Sequence, residues 1–147
     1  MVKTIAQNRK ARFDYDILET MEAGVVLTGP EVKSCREGHV SLAGAYVSFF
    51  GGQPLLKHAT ISKYSCASSV TDYEPMRDRK LLLKKSDVAR LESAVAEKGV
   101  TLIPLEVKAG KFIKVVLGLG RGRKRHDKRQ KIKEREVGRQ LREKGDY

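Results

Sequence analysis

The stretch VTLIPLEVKAGKFIKVVL, residues 100–117, decides the fold. Val100 to Val107 and Lys111 to Leu117 are both rich in strand-forming residues, and the short Lys108-Ala109-Gly110 segment between them ends on glycine. Two such runs around a glycine turn predict an antiparallel hairpin. Just upstream, Ser86 as cap, then Val88, Leu91 and Val95 at offsets of three and four, with Gly99 as the stop, predict a helix.

Earlier in the chain, Ala45–Phe50 and Pro54–Thr60 read as two strands around Gly51-Gly52. Thr28 can cap a helix with Glu31 three residues on, Pro30 needs no donor in a first turn, and Gly38 ends that helix. Residues 62–75 read as a long loop. Phe13, Tyr15 and Ile17 alternate with Asp14 and Asp16, the period of a strand with one wet face. The phase slips at Leu18 before Met21 and runs on to Val25, Val26 and Leu27, which predicts a bulge or a coiled strand followed by a hairpin back. After the 100–117 stretch, Gly118, Gly120 and Gly122 alternate with Leu119, Arg121 and Arg123 and predict a flexible exit from the core.

About six strands joined mainly by hairpins, with two or three short helices, define a mainly β chain. A small antiparallel barrel follows, because closure removes the exposed edges that an open sheet of this size leaves. Barrels of the OB type bind oligonucleotides on one face and its loops. The chain divides into a barrel domain, residues 1–120, and a tail, residues 121–147.

The charge points to the partner. The net charge is +12 over 147 residues, from 30 basic and 18 acidic side chains. Residues 121–147 hold twelve Lys or Arg, five Asp or Glu, and only Ile132, Val137 and Leu141 as large aliphatics. Such a segment closes no hydrophobic core and is solvated or held by an anion. On a helical wheel Lys128, Lys131, Arg135, Arg139 and Arg142 share one narrow face, a cationic stripe suited to a phosphate backbone. Lys3, Arg9, Lys10 and Arg12 add a cationic N-terminal arm. An anionic membrane attracts the same charge, but the tail lacks an aromatic or leucine face and no run approaches the roughly 20 apolar residues of a span. The chain is read as cytoplasmic, with Cys35 and Cys66 as reduced thiols: two cysteines without CxxC spacing make neither a disulfide scaffold nor a metal site.

The pattern does not read as an enzyme. His39, His58 and His126 fall in three different elements, no HExxH, GxSxG or P-loop motif occurs, and Asp14 and Asp16 read as solvated strand residues. No cofactor is indicated. Arg77, Arg79 and Lys80 beside Leu81, Leu82 and Leu83 place cations next to an apolar patch, which reads either as an ordinary strand entering the core with solvated flanks or as a surface that pairs phosphates and stacks bases. A structural ribosomal protein with an rRNA-embedded extension satisfies the same charge pattern.

Several segments occur together in order: Ala6-Gln-Asn-Arg-Lys-Ala-Arg12 followed by Tyr15, Glu22-Ala-Gly24, Glu31-Val-Lys-Ser34, Arg79-Lys-Leu-Leu-Leu83, His126-Asp-Lys-Arg129 and Ile132-Lys-Glu-Arg-Glu136. In these the chain resembles the bacterial SsrA-binding protein family, from about residue 4 into the tail. The resemblance implies an OB-like barrel with flanking helices and a basic tail disordered when free. It implies binding to the tRNA-like domain of transfer-messenger RNA and delivery of that RNA to stalled ribosomes, as a monomer in the functional complex and without catalysis. On the barrel it implies RNA contacts by Asn8, Glu22 and Leu82, with Arg9, Lys10, Arg12, Arg79 and Lys80 around them. In the tail it implies that His126, Asp127, Lys128 and Arg129 reach the decoding centre of the small subunit. The helix carrying Lys131, Lys133, Arg135, Arg139 and Arg142 then lies in the empty mRNA channel. Gly138 interrupts that helix at a cost of about 0.8–1 kcal/mol relative to Ala, so folding of the tail is expected to accompany binding.

Overall fold

A computed structural model describes residues 2–64 and 73–122. The tail expectations, including its helix and basic stripe, and most of the expected 62–75 loop therefore lie outside the described residues.

The 100–117 hairpin is the spine of the barrel. Strand β8 (Val100–Ala109) pairs with β9 (Ile113–Gly122) along its whole length, from Val100 opposite Arg121 to Ala109 opposite Ile113. The other elements are β1 (Lys3–Gln7), α1 (Arg9–Asp14), β2 (Tyr15–Val25), α2 (Gly29–Arg36), β3 (Val40–Ser41), β4 (Tyr46–Phe50), β5 (Gln53–Lys57), β6 (Thr60–Ile61), β7 (Arg79–Leu82) and α3 (Lys85–Val95). Antiparallel pairing runs β8-β4-β5-β7-β2-β9 and returns to β8, a closed ring of six strands, with β1 added on the free edge of β8 and β3-β6 as a separate pair. The mainly β, OB-like barrel with three short helices is thus as expected. Its core holds Leu56, Leu81, Leu91, Leu102, Val107, Val115 and Leu117.

Local chemistry explains the helices. Around α2, Thr28 accepts from the Glu31 N–H at 3.3 Å while the Glu31 carboxylate accepts from the Thr28 N–H at 2.9 Å, the reciprocal box foreseen from sequence. Gly38 follows at φ 83°, a left-handed conformation natural to glycine. Helix α3 starts two residues before the expected helix: Lys84 is the cap residue without a side-chain cap bond, and Ser86 sits within the first turn beside Asp87, whose charge favours the helix N-terminus.

Three expectations fail for tertiary reasons. Phe13 and Asp14 belong to α1 and not to a strand, because Asn8 Oδ1 caps that helix through the Ala11 N–H at 3.2 Å. The slip at Leu18 is a bulge, with the register shifting between Ile17 and Glu19, but no hairpin follows. Strand β2 continues to Val25, paired with β9 from far along the chain. Nor do the glycines after Leu117 form a flexible exit, for Gly118, Gly120 and Gly122 all lie in β9 opposite Thr20, Ile17 and Tyr15.

The bulges explain those glycines. A shift between Pro104 and Glu106 in β8, like that at Leu18, swaps which face of the strand points inward. Ile103 and Leu105 therefore turn outward and bury with Ala11, Tyr15 and Ile17 in a second apolar cluster under α1. On β9 the positions beneath this cluster must be bare. A Cβ on Gly118 meets Leu105 Cδ1 at 2.7 Å, and one on Gly120 meets Tyr15 Cβ at 2.9 Å. Gly118→Ala is expected to lower stability by about 1–3 kcal/mol in guanidinium unfolding. Gly29→Ala, where no atom lies within 4 Å, is expected to change it by under about 0.5 kcal/mol.

Candidate nucleic-acid interface

Strand register builds a continuous outward row across three sheet neighbours. Lys108 of β8 stands opposite Lys114 of β9, Lys114 opposite Gly24 of β2, and Gly24 opposite Leu82 of β7. A second row sets Glu106 and Glu22 on either side of Val116. Leu82 is 60% exposed and gives this face an accessible aliphatic side chain. It lies across the bare backbone of Gly24, where an added Cβ comes within 3.3 Å of Leu82 Cβ and Cδ1. Lys80 is exposed two residues earlier on the same face of β7.

The hairpin tip continues the surface. Phe112 is 66% exposed and carries the Lys111 ammonium 5.7 Å from its ring centroid. Together with Glu22, Lys108 and Lys114 it lines a concavity of about 380 Å³. Glu22 Oε2 lies 3.9 Å from Lys108 Nζ. A carboxylate there orients the lysine or accepts from a base amino group and repels phosphate, whereas the three lysines pair with phosphates and Leu82 and Phe112 offer apolar and stacking contact. At the border, Arg12 reaches the Glu106 carboxylate at 3.7 Å.

The structure therefore brings Glu22, Lys80 and Leu82 onto one face with Arg12 at its edge, and leaves Arg9 and Lys10 exposed on α1. Two expected contact residues are internal instead. Asn8 is 7% exposed and donates from Nδ2 to the carbonyls of Leu42 at 3.3 Å and Pro104 at 3.0 Å while its oxygen caps α1. With both ends engaged it ties the start of α1 to β8 and to Leu42. Arg79 is fully buried. Its Nη2 donates to Glu31 Oε2 at 2.7 Å, its Nε to the same oxygen at 3.0 Å, and its Nη1 to the Ala59 carbonyl at 2.9 Å. Arg77 completes the ion pair from the surface side. Lys108, Lys111, Lys114 and Phe112 escaped the sequence reading, although in the hairpin register Lys108 and Lys114 stand opposite each other.

Burial alone pushes the Glu31 carboxyl up, but the Arg77 hydrogen bond, the Thr28 N–H and the Arg79 bond and charge outweigh it and hold the pKa down at about 2. Cys35, buried nearby, is a free thiol whose desolvation raises its pKa to about 11, so it is unreactive. Among the described residues no three His, Cys, Asp or Glu side chains gather as a metal site, and no helix is long and apolar enough to cross a membrane.

A small closed barrel with a lysine-, leucine- and phenylalanine-bearing face and a strongly basic C-terminal segment is an RNA-binding barrel of the OB type. The family model described as SmpB protein matches residues 5–146, and the chain belongs to this family of SsrA-binding proteins. It is 48% identical over 141 residues to the SsrA-binding protein of Synechococcus sp. (strain JA-2-3B'a(2-13)), covering 95% of this chain and 92% of that protein. Against the SsrA-binding protein of Lactobacillus helveticus (strain DPC 4571) it is 48% identical over 142 residues, again covering 95% of this chain and 92% of the relative. A chain from the solved structure "tmRNA-SmpB: a journey to the center of the bacterial ribosome" superposes with a TM-score of 0.69 at 41% identity, over 89% of this chain and 94% of that chain.

The depressed Glu31 pKa makes the ion pair an acid-sensitive element. Its stabilisation is fully present above the ordinary carboxyl value of 4.5 and declines as pH falls toward 2. Glu31→Gln, which strands the buried Arg79 charge, is expected to cost about 3 kcal/mol at pH 7 in urea unfolding. The gap between the two proteins should narrow steadily when the series is repeated from pH 5 downward.

Proposed function

We propose that this protein is the RNA-binding adaptor of trans-translation: its barrel binds the tRNA-like domain of transfer-messenger RNA and its basic tail engages the ribosome. The observation that carries the reading is the outward row Lys108, Lys114, Gly24, Leu82 with Glu22 beside it. It combines paired cations, an exposed aliphatic side chain held over bare backbone, and one carboxylate, which suits a structured RNA with splayed bases better than uniform duplex. The relatives' name and the solved complex supply the class of RNA. The contact set is Glu22, Lys80, Leu82, Lys108 and Lys114, with Arg12 at the border; Arg9 and Lys10 contribute charge, and Asn8 and Arg79 position the elements that carry the rest.

In this reading the barrel ends at Gly122 and the tail, residues 123–147, acts separately in the cytoplasm on a stalled ribosome. His126 to Arg129 reach the decoding centre, and the segment carrying Lys131, Lys133, Arg135, Arg139 and Arg142 occupies an mRNA channel left empty. A segment with this charge competes for space and phosphates with intact mRNA, so occupancy of the channel reports on stalling. The protein acts as an adaptor, without a catalytic step of its own.

Three measurements test the division. Leu82→Asp or Glu22→Arg is expected to weaken binding to labelled transfer-messenger RNA more than binding to an unrelated tRNA. Lys114→Gln is expected to lower the slope of log affinity against log salt by about 1; an unchanged slope removes Lys114 from the phosphate contacts. Truncation after Gly122 is expected to keep transfer-messenger RNA binding and abolish its entry into stalled ribosomes. Equal loss of both activities refutes a two-surface protein.

A further inference from the structure

At the other end of β8 the barrel carries a second aromatic feature that the row described above does not use. The rings of Tyr46 and His58 stack with centroids 5.4 Å apart and planes inclined by 23°. Tyr46 is 38% exposed and His58 is exposed, so the stack faces water. His58 holds φ 62°, and it is the one non-glycine residue at positive φ among the described residues. This left-handed conformation, uncommon for a residue with a Cβ, lies in the turn between β5 and β6, and that turn sets the imidazole against Tyr46.

Tyr46 forms a ridge between two grooves of about 390 and 360 Å³. The first is lined by Lys10, Asp14, Tyr15, Gly44 and Thr101 as well. An exposed aromatic platform beside a groove with a lysine at its rim has the chemistry for one unpaired base and its phosphate.

The position selects the partner. Thr101 and Lys108 are seven residues apart on β8, roughly 23 Å at about 3.3 Å per residue, so this groove is remote from the Lys108–Leu82 row. It adjoins the point where the basic segment begins, because Tyr15 stands opposite Gly122 and Thr101 opposite Gly120. An RNA bound at Arg121 and Gly122 is therefore next to this groove.

We propose that Tyr46 and His58 form a stacking platform for an unpaired base of small-subunit ribosomal RNA, seated in the groove beside the origin of the tail. The choice of that RNA rests on the reading of the tail given above. The platform makes the barrel itself part of the ribosome contact, and the tail is then not the sole anchor.

The test titrates full-length protein against purified small ribosomal subunits without mRNA and, in parallel, against transfer-messenger RNA. Tyr46→Ala and His58→Gly each remove a ring; the glycine takes φ 62° without strain, so this variant keeps the fold, as thermal melts will verify. Each is expected to weaken subunit binding at least about fivefold while leaving transfer-messenger RNA affinity within roughly twofold, with Tyr46→Phe retaining both. Unchanged subunit affinity in Tyr46→Ala and His58→Gly overturns the proposal. A loss confined to transfer-messenger RNA, or equal for both RNAs, also overturns it. A full-length variant with Lys131, Arg135 and Arg139 changed to Gln runs in the same series. If it binds subunits like the native protein, the tail reading fails, and the platform is judged separately by the ring variants.

Discussion

The buried contact between Glu31 and Arg79 holds together parts of the chain that share no backbone ladder. Glu31 begins α2, Arg79 begins β7, and the guanidinium also bonds the carbonyls of Ala59 and Pro75 and the Tyr73 hydroxyl. One side chain thereby fastens the β5–β6 corner and the approach to β7 onto the helix. Two desolvated charges cost several kcal/mol each, and the contact is tolerable only because nearly every polar atom of the pair finds a partner. The capping box uses the same carboxylate, so helix initiation and barrel assembly depend on a single residue.

That anchoring sets the direction of β7, and β7 presents part of the outward lysine and leucine row. Arg79 and Leu81 point inward, so Lys80 and Leu82 must point outward. Register with β2 then lays Leu82 over Gly24, and register with β9 and β8 extends the row to Lys114 and Lys108. A carboxylate buried on one side of the strand is thus mechanically connected to an exposed leucine on the other.

The bulges in β2 and β8 divide the barrel surface into two regions. On one side of them the outward positions are the lysines and glutamates of the rows through Lys108, Lys114, Glu106 and Glu22. On the other they are Tyr15, Ile17, Ile103 and Leu105, which are apolar and require α1 as a cover. Asn8 fixes that cover by capping α1 while donating to β8 and to Leu42. The glycines of β9 complete the arrangement by leaving room beneath the cluster.

Features governed by neighbours in sequence were legible in the chain. The 100–117 hairpin, the Thr28–Glu31 box, the Gly51-Gly52 turn, the slip at Leu18 and the basic C-terminal segment each depend on residues a few positions apart, where steric preference and periodicity act directly. The likeness of Glu22-Ala-Gly24 and Arg79-Lys-Leu-Leu-Leu83 to a known family singled out segments that the register brings side by side, but gave no means of separating buried Arg79 from exposed Leu82. Alternation around Phe13 looked like a strand until Asn8 found partners 34 and 96 residues away. Gly118 and Gly120 looked like a linker because their spacing records the shape of Leu105 and Tyr15, which only folding brings over them. The sequence by itself determined the main runs of β2, β4, β5, β8 and β9, two of the helices and the charge of the partner. The tertiary structure decided which polar residues are internal, how Lys108 and Lys114 join Leu82, and where Tyr46 meets His58. These depend on strand register and on contacts between distant residues, which local periodicity does not encode.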